Sequence, residues 1–237
     1  MELLLVRHAE PVRVAAGEVA GPADPGLTSR GAEQAQRLAA WLAAEGVDAI
    51  VTSPLRRARE TAAPLSAATG LEPTVVDGIS EYDAHSDEYI PIEELRELKD
   101  ERWHATIEGR WADVGGLDPK AFQAQVVPSI DELIARNAGK RVVAVAHGGV
   151  VNVYLAHVLG IQRLLWFHPE YTSISRVHAS RRGARSVASV NEIAHLVATQ
   201  DQVNHGAGTS ERPWRRYPAA QRAGAERPGP QGRERDR

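Results

Sequence analysis

Two histidines, His8 and His147, stand 139 positions apart, and each ends a short apolar run. Arg7-His8-Ala9-Glu10 follows Leu3-Leu4-Leu5-Val6, and His147-Gly148-Gly149 follows Val142-Val143-Ala144-Val145-Ala146. Runs of this length and character read as strands buried on both faces, the pattern of a parallel sheet. Ligands of open α/β sheets bind at the carboxyl ends of the strands. Two imidazoles brought to that edge, one beside an arginine and one opening a glycine turn, suit phosphoryl transfer. That reaction needs an in-line nucleophile, cations around the equatorial oxygens and a proton for the leaving group. A neutral imidazole attacks well. A guanidinium fork matches phosphate oxygens two at a time.

A third arm of such a site is Ser53-Pro54-Leu55-Arg56-Arg57-Ala58, which follows another apolar segment, Asp48–Ser53. Singly, a histidine at a strand end or an arginine pair at a helix start is most often structural or solvated. Their arrival together, each after a strand, is what argues for a site. Gly148-Gly149 would let backbone approach an anion at a helix N-terminus.

The elements that must carry these residues alternate. Glu2–Arg7 reads as a strand and residues 11–26, rich in Pro, Gly and Ala, as a loop. Thr28 caps a helix to Glu45 with Gly46 as its stop. Pro54 and Gly70 bracket the next helix, and Pro73–Asp77 reads as a third strand. Asp118-Pro119 starts a helix to Ala138, with a kink expected at Pro128. Arg141–His147, a helix Val150–Leu159, and a hairpin of Thr172–Ala179 with Ser186–Asn191 complete the series. This order predicts an α/β protein of three layers, α/β/α, with a mostly parallel central sheet. Residues 82–118 break the rhythm; with Arg96, Lys99, Arg102, Trp103 and Trp111 they read as a helical cap insertion. One domain, 1–204, would hold all of this.

Composition narrows the classes. The chain has 237 residues, 43% hydrophobic and 25% charged, with a net charge of −3. No strongly basic balance points to nucleic acid, and no apolar stretch approaches a membrane span. A cytoplasmic location is the default expectation. Cysteine is absent, and no His-Glu-x-x-His spacing suggests a metal, so neither metal nor cofactor is expected. Residues 205–237 hold eight arginines and four acidic residues without apolar periodicity. They read as a flexible tail; the alternative is an arm on a partner subunit, anchored by Trp214 and Tyr217, in a homo-oligomer.

The ordered motifs resemble the histidine phosphatase superfamily, the phosphoglycerate mutase-like group, over about residues 1–200. They are Arg7-His8-Ala9-Glu10, Leu27-Thr28-x-x-Gly31-x-x-Gln34-Ala35, Ser53-Pro54-Leu55-x-Arg57-Ala58-x-x-Thr61-Ala62 and Ala146-His147-Gly148-Gly149. Asn191-x-x-x-His195-Leu196 fits the family's closing strands. The resemblance implies that His8 is the phosphorylated nucleophile and that Arg7, Arg57 and His147 clamp the phosphate, with Gly148 beside them. It makes Glu81 the proton donor and selects Arg57, not Arg56, in the pair. Should Glu81 fail, Asp83, Asp87 and Glu88 are the next donors to test.

Ala9-Glu10-Pro11-Val12-Arg13 and Ala20-Gly21-Pro22 depart from the true mutase pattern. A metal-independent phosphatase acting on a small phosphorylated metabolite is therefore the leading expectation. Mutase-type phosphotransfer and a non-catalytic phospho-ligand or interaction module are the alternatives. Among the other histidines, His85 and His104 read as surface residues of the cap, His157 as packed, and His195 as structural. Every expected catalytic residue precedes Gln202, so truncation there should leave phosphate release within about twofold of the full chain. A parallel loss of activity and subunit association would instead make the tail an assembly arm.

Overall fold

The computed structural model describes residues 1–114 and 117–197; the tail expected at 205–237 lies outside them. Strands and helices alternate as β1 (Glu2–Arg7), α1 (Ser29–Glu45), β2 (Ala49–Thr52), α2 (Arg56–Thr69) and β3 (Thr74–Val75). After a 3-10 turn at Asp77–Ile79 come α3 (Ile92–Leu98) and α4 (Glu101–Glu108). Then follow α5 (Pro119–Arg136), β4 (Arg141–Ala146), α6 (Gly148–Leu159), β5 (Ile174–Ala179), β6 (Arg185–Glu192) and α7 (Ala194–Val197).

The six strands form one sheet in the order β3-β2-β4-β1-β5-β6. β1 to β4 are mutually parallel, while β5 runs antiparallel to β1 and to β6. Alternation along the strands splits the core into two layers. Leu4, Val6, Val143 and Val145 pack with Leu38, Leu42, Ala58 and Leu65 of α1 and α2. Leu3, Leu5, Val142 and Ala144 pack with Val126, Ile130 and Leu133 of α5 and with Val151 and Leu155 of α6. The chain is thus a three-layer α/β/α fold with a mostly parallel sheet. Among the described residues, no helix is long and apolar enough to cross a membrane.

Local chemistry accounts for the boundaries. Thr28 caps α1 by accepting the Gly31 N–H at 2.9 Å, and Gly46 ends it at φ 79°. Asp118 caps α5 by accepting from Lys120 and Ala121, with Pro119 in the first turn. α5 continues through Pro128 as one helix and ends at Arg136, two residues short of the expected limit. α6 begins at Gly148 rather than Val150, because His147 already has the extended backbone of a helix cap.

The expected third strand shrinks to Thr74–Val75, paired only with β2. The chain then turns into Asp77–Ile79, whose Ile79 is fully buried and aims the next residues at the sheet edge. His157, expected to be packed, is exposed at the end of α6.

The sheet order makes β1 and β4 neighbours, with Arg7 paired to Ala146. His8 and His147 are the next residue of each strand, and the His8 N–H donates to the Ala146 carbonyl at 2.9 Å. The turn after His8 is bolted down by three motif residues. Thr61 Oγ1 accepts the Ala9 N–H at 2.9 Å and Gln34 Oε1 accepts the Glu10 N–H at 2.9 Å. Gly31 lies so close that a Cβ there would sit 2.1 Å from the Glu10 carbonyl oxygen. Gly31→Ala should therefore lower stability by about 1–3 kcal/mol through forced displacement of this turn, read as a lower urea midpoint at unchanged slope. An unchanged midpoint would mean the turn moves freely.

Candidate active site

At the carboxyl edge of the sheet lies a cavity of about 810 Å³. Arg7, His8, Arg57, Glu81 and Gly148 line it. β1 delivers Arg7 and His8, the first turn of α2 delivers Arg57, and Glu81 arrives just after the 3-10 turn. Arg57 is 1% exposed, whereas Arg56 is 63% exposed and paired with Glu60. His147 is wholly buried and is not part of the cavity wall; its ring packs 5.2 Å from that of His8.

The tautomer of His8 follows from its neighbour. His8 Nδ1 lies 2.8 Å from the Ala9 carbonyl oxygen, which can only accept. Nδ1 therefore carries the proton and Nε2 the lone pair. Burial, and then the charges of Arg57 and Arg7, hold the His8 pKa well below its ordinary value, so the ring is neutral at pH 7. Burial does the same to His147, with Arg57 and His8 adding to it. His147 Nε2 is 2.7 Å from Ser53 Oγ, and its Nδ1 has no hydrogen-bond partner among the described residues.

Each of the two buried arginines is held by one carboxylate and one aromatic face. Arg7 Nη1 donates to Glu93 Oε1 at 2.7 Å and to the Pro169 carbonyl at 2.6 Å, with its guanidinium 4.0 Å from the Tyr171 ring centre. Arg57 Nη2 donates to Asp83 Oδ1 at 2.8 Å, with its guanidinium 4.6 Å from the Tyr89 ring centre. Burial alone would raise the Glu93 carboxyl, but hydrogen bonds and charge from His168 and Arg7, with the Tyr171 hydroxyl, hold it far below the carboxylate range. Arg57 Nε is buried with no hydrogen-bond partner among the described residues.

Glu81 is the opposite case. Burial, then the negative charge of Asp83, pushes its pKa up to about 7. One oxygen accepts the Gly149 N–H at 2.7 Å and the other the Tyr82 N–H at 3.2 Å. A Cβ on Gly149 would stand 2.2 Å from Glu81 Oε1, so a side chain there would displace the Glu81 carboxyl.

Of the other donor candidates, Asp83 lines the cavity but is committed to Arg57, and Glu88 pairs with Arg102. His195 is buried, with Nε2 3.0 Å from Thr172 Oγ1, away from the cavity wall. Glu93, Tyr89, His168 and Tyr171 had no signal in the sequence. They sit in polar or irregular segments, and what joins them to the arginines is long-range packing. No group of three His, Cys, Asp or Glu among the described residues is placed to hold a metal ion.

The profile of the histidine phosphatase superfamily (branch 1) matches residues 3–192. Phosphoserine phosphatase 1 of Hydrogenobacter thermophilus is 30% identical over 200 residues, covering 83% of this chain and 94% of its own. A probable phosphoglycerate mutase GpmB of Yersinia enterocolitica is 28% identical over 166 residues, covering 68% of this chain and 76% of its own. Among solved structures, a phosphoserine phosphatase mutant (H9A) of Entamoeba histolytica with bound phosphoserine superposes at a TM-score of 0.65. It is 24% identical and covers 82% of this chain and 98% of its own. A mycobacterial glucosyl-3-phosphoglycerate phosphatase with VO3 superposes at 0.66, also at 24% identity, covering 81% and 99%. At those identities the structural likeness speaks to the fold.

The Glu93 lock can be tested directly. Removing one partner of a buried ion pair costs about 3–5 kcal/mol, and Glu93 is 23% exposed against 5% for Arg7. Glu93→Ala should fall at the low end, about 3 kcal/mol by denaturant unfolding, and should weaken inorganic phosphate binding. Unchanged stability and phosphate affinity together would show that Arg7 does not depend on Glu93.

Proposed function

The chain belongs to the histidine phosphatase superfamily, and from that premise we propose that it is a metal-independent phosphomonoesterase working through a phosphohistidine on His8. One observation carries the reading: a neutral imidazole with its proton fixed on Nδ1 and its Nε2 lone pair at a cavity that also holds two buried guanidiniums.

In the first step His8 Nε2 attacks phosphorus and the ester P–O bond breaks. Arg7 and Arg57 take the charge of the equatorial oxygens; preorganised donors of this kind are worth about 3–4 kcal/mol each in related charge stabilisation. Glu81, as the carboxylic acid, gives its proton to the departing alkoxide oxygen. The Ala9 carbonyl keeps its hydrogen bond to Nδ1 as the ring becomes positive. In the second step Glu81, now a carboxylate, takes a proton from water as that water attacks phosphorus. The P–N bond breaks, inorganic phosphate leaves and His8 returns to its neutral form. His147 and Gly148 complete the phosphate end in this scheme, His147 by fixing the His8 ring from behind.

A pKa of about 7 suits Glu81 to both duties, since acid and carboxylate are both populated near neutral pH. The raised value means that the acid form is present below about pH 7 and lost above it. The lowered value of His8 means that the nucleophile stays neutral well below pH 6.5.

The kcat/KM profile, corrected for the ester's own ionisation near about pH 6, should therefore fall above about pH 7 with no acid limb near the ordinary histidine value. Glu81→Gln should slow alkyl phosphates by about 10²–10⁴-fold, the range of acid catalysis, and spare aryl phosphates, whose leaving groups need less help. His8→Ala should lose turnover and the acid-labile phosphoenzyme that wild type forms. Normal phosphate release by His8→Ala would overturn the mechanism. Isomer formation without phosphate release would favour mutase-type transfer.

A further inference from the structure

The phosphate end occupies only the floor of the cavity. Most of its remaining wall is apolar: Ile90 and Ile92 before and within α3, Trp103 and Ile107 on α4, and Leu165 and Trp166 after α6, with Thr106, Asn191 and the exposed Arg96 and Arg163 as polar members. At about 810 Å³ it is in the range that takes a ligand of many heavy atoms.

This wall is built, not a loose gap. Asn152 of α6 is 1% exposed and uses its whole amide to hold the segment that carries Trp166. Its Nδ2 donates to the Gly148 carbonyl at 2.9 Å and the Phe167 carbonyl at 3.0 Å. Its Oδ1 accepts the Trp166 N–H at 3.0 Å and the Phe167 N–H at 3.1 Å. The indole N–H of Trp166 donates to the Asn152 carbonyl at 3.3 Å. The same residue thus ties the apolar wall to Gly148, at the phosphate end.

An ammonium group on a substrate's organic part would find no free carboxylate beyond Glu81 among the described residues of the lining. The acidic side chains nearest the floor are engaged: Asp83 with Arg57, and Glu93 with Arg7, His168 and Tyr171. Arg96 and Arg163 are exposed residues of the rim. A small zwitterionic ester would have to desolvate its ammonium against isoleucine and tryptophan, which is costly without a partner.

Resting on the phosphatase reading, we propose that the preferred substrates are phosphomonoesters of bulky, apolar alcohols, with an aromatic or branched hydrocarbon body seated between α4 and the Trp166 segment. Small polar esters such as phosphoserine are disfavoured.

Calorimetry on the wild-type chain with two non-hydrolysable phosphonates tests this without turnover. Phenylpropylphosphonate should bind at least about tenfold more tightly than the phosphonate isostere of phosphoserine, as expected for burying a phenyl group. In parallel, phenylpropyl phosphate, phosphoserine and 3-phosphoglycerate, all alkyl esters, are compared by kcat/KM, with the first expected to lead by at least about tenfold. Trp103→Ala and Trp166→Ala should each raise KM for phenylpropyl phosphate with little change in kcat, and so narrow its lead over phosphoserine in kcat/KM.

Equal or tighter binding of the phosphoserine isostere overturns the proposal, as does a phosphoserine kcat/KM equal to or above that of the phenylpropyl ester. No hydrolysis of any ester, with the phosphonate order as expected, overturns the hydrolase reading and supports the apolar pocket.

Discussion

The site depends on two buried guanidiniums kept charged beside two imidazoles kept neutral. Arg7 and Arg57 are 5% and 1% exposed, and an unpaired charge at that depth would be strongly destabilising. Each is countered by a carboxylate and faced by a tyrosine ring: Glu93 and Tyr171 for Arg7, Asp83 and Tyr89 for Arg57. The same positive charges, added to burial, hold His8 below its ordinary pKa. Guanidinium burial and the neutrality of the His8 ring are therefore one electrostatic arrangement.

Three of those four countering groups, Asp83, Tyr89 and Glu93, come from a single stretch of eleven residues outside the sheet. That stretch does more than cover the cavity, because it neutralises the cations that would otherwise repel each other at the sheet edge. It also begins beside Glu81, whose carboxyl is shifted upward by burial and by the charge of Asp83. Asp83 thus acts on two groups in opposite senses: it stabilises the charge of Arg57 and disfavours the charge of Glu81. Its position between them separates a permanent cation from a carboxyl of raised pKa.

Glycines set how closely the parts approach. Gly31 lets α1 press on the turn after His8, and Gly149 lets Glu81 reach the first turn of α6. Both are contacts between backbone and a distant segment, which a side chain would fill. The apolar far wall of the cavity has its own organiser in Asn152, whose satisfied amide fixes an irregular segment that has no ladder of its own.

Much of this was legible in the order of residues. Apolar runs ending in Arg7-His8 and His147 announced two strands whose ends meet, because buried parallel strands need hydrophobic faces on both sides. Thr28 and Asp118, as caps, and Gly46 and Gly70, as stops, marked helix limits through local hydrogen bonds and positive φ. The selection of Arg57 over Arg56 needed only the register of a motif.

Local signals did not reach as far as β3, where a β-rich run gave way to a 3-10 turn once Ile79 found the core. Nor did they reveal Glu93, which lies 86 positions from Arg7 in a polar helix that looks solvated by composition. The tautomer of His8, the raised pKa of Glu81 and the burial of His147 against His8 all depend on which groups are brought together after folding. Sequence determines the strands, their turns and the types of residue they end in, because those follow from nearest-neighbour chemistry. Charge state and proton position were decided only by tertiary structure, because both are set by burial and by partners that share no local pattern.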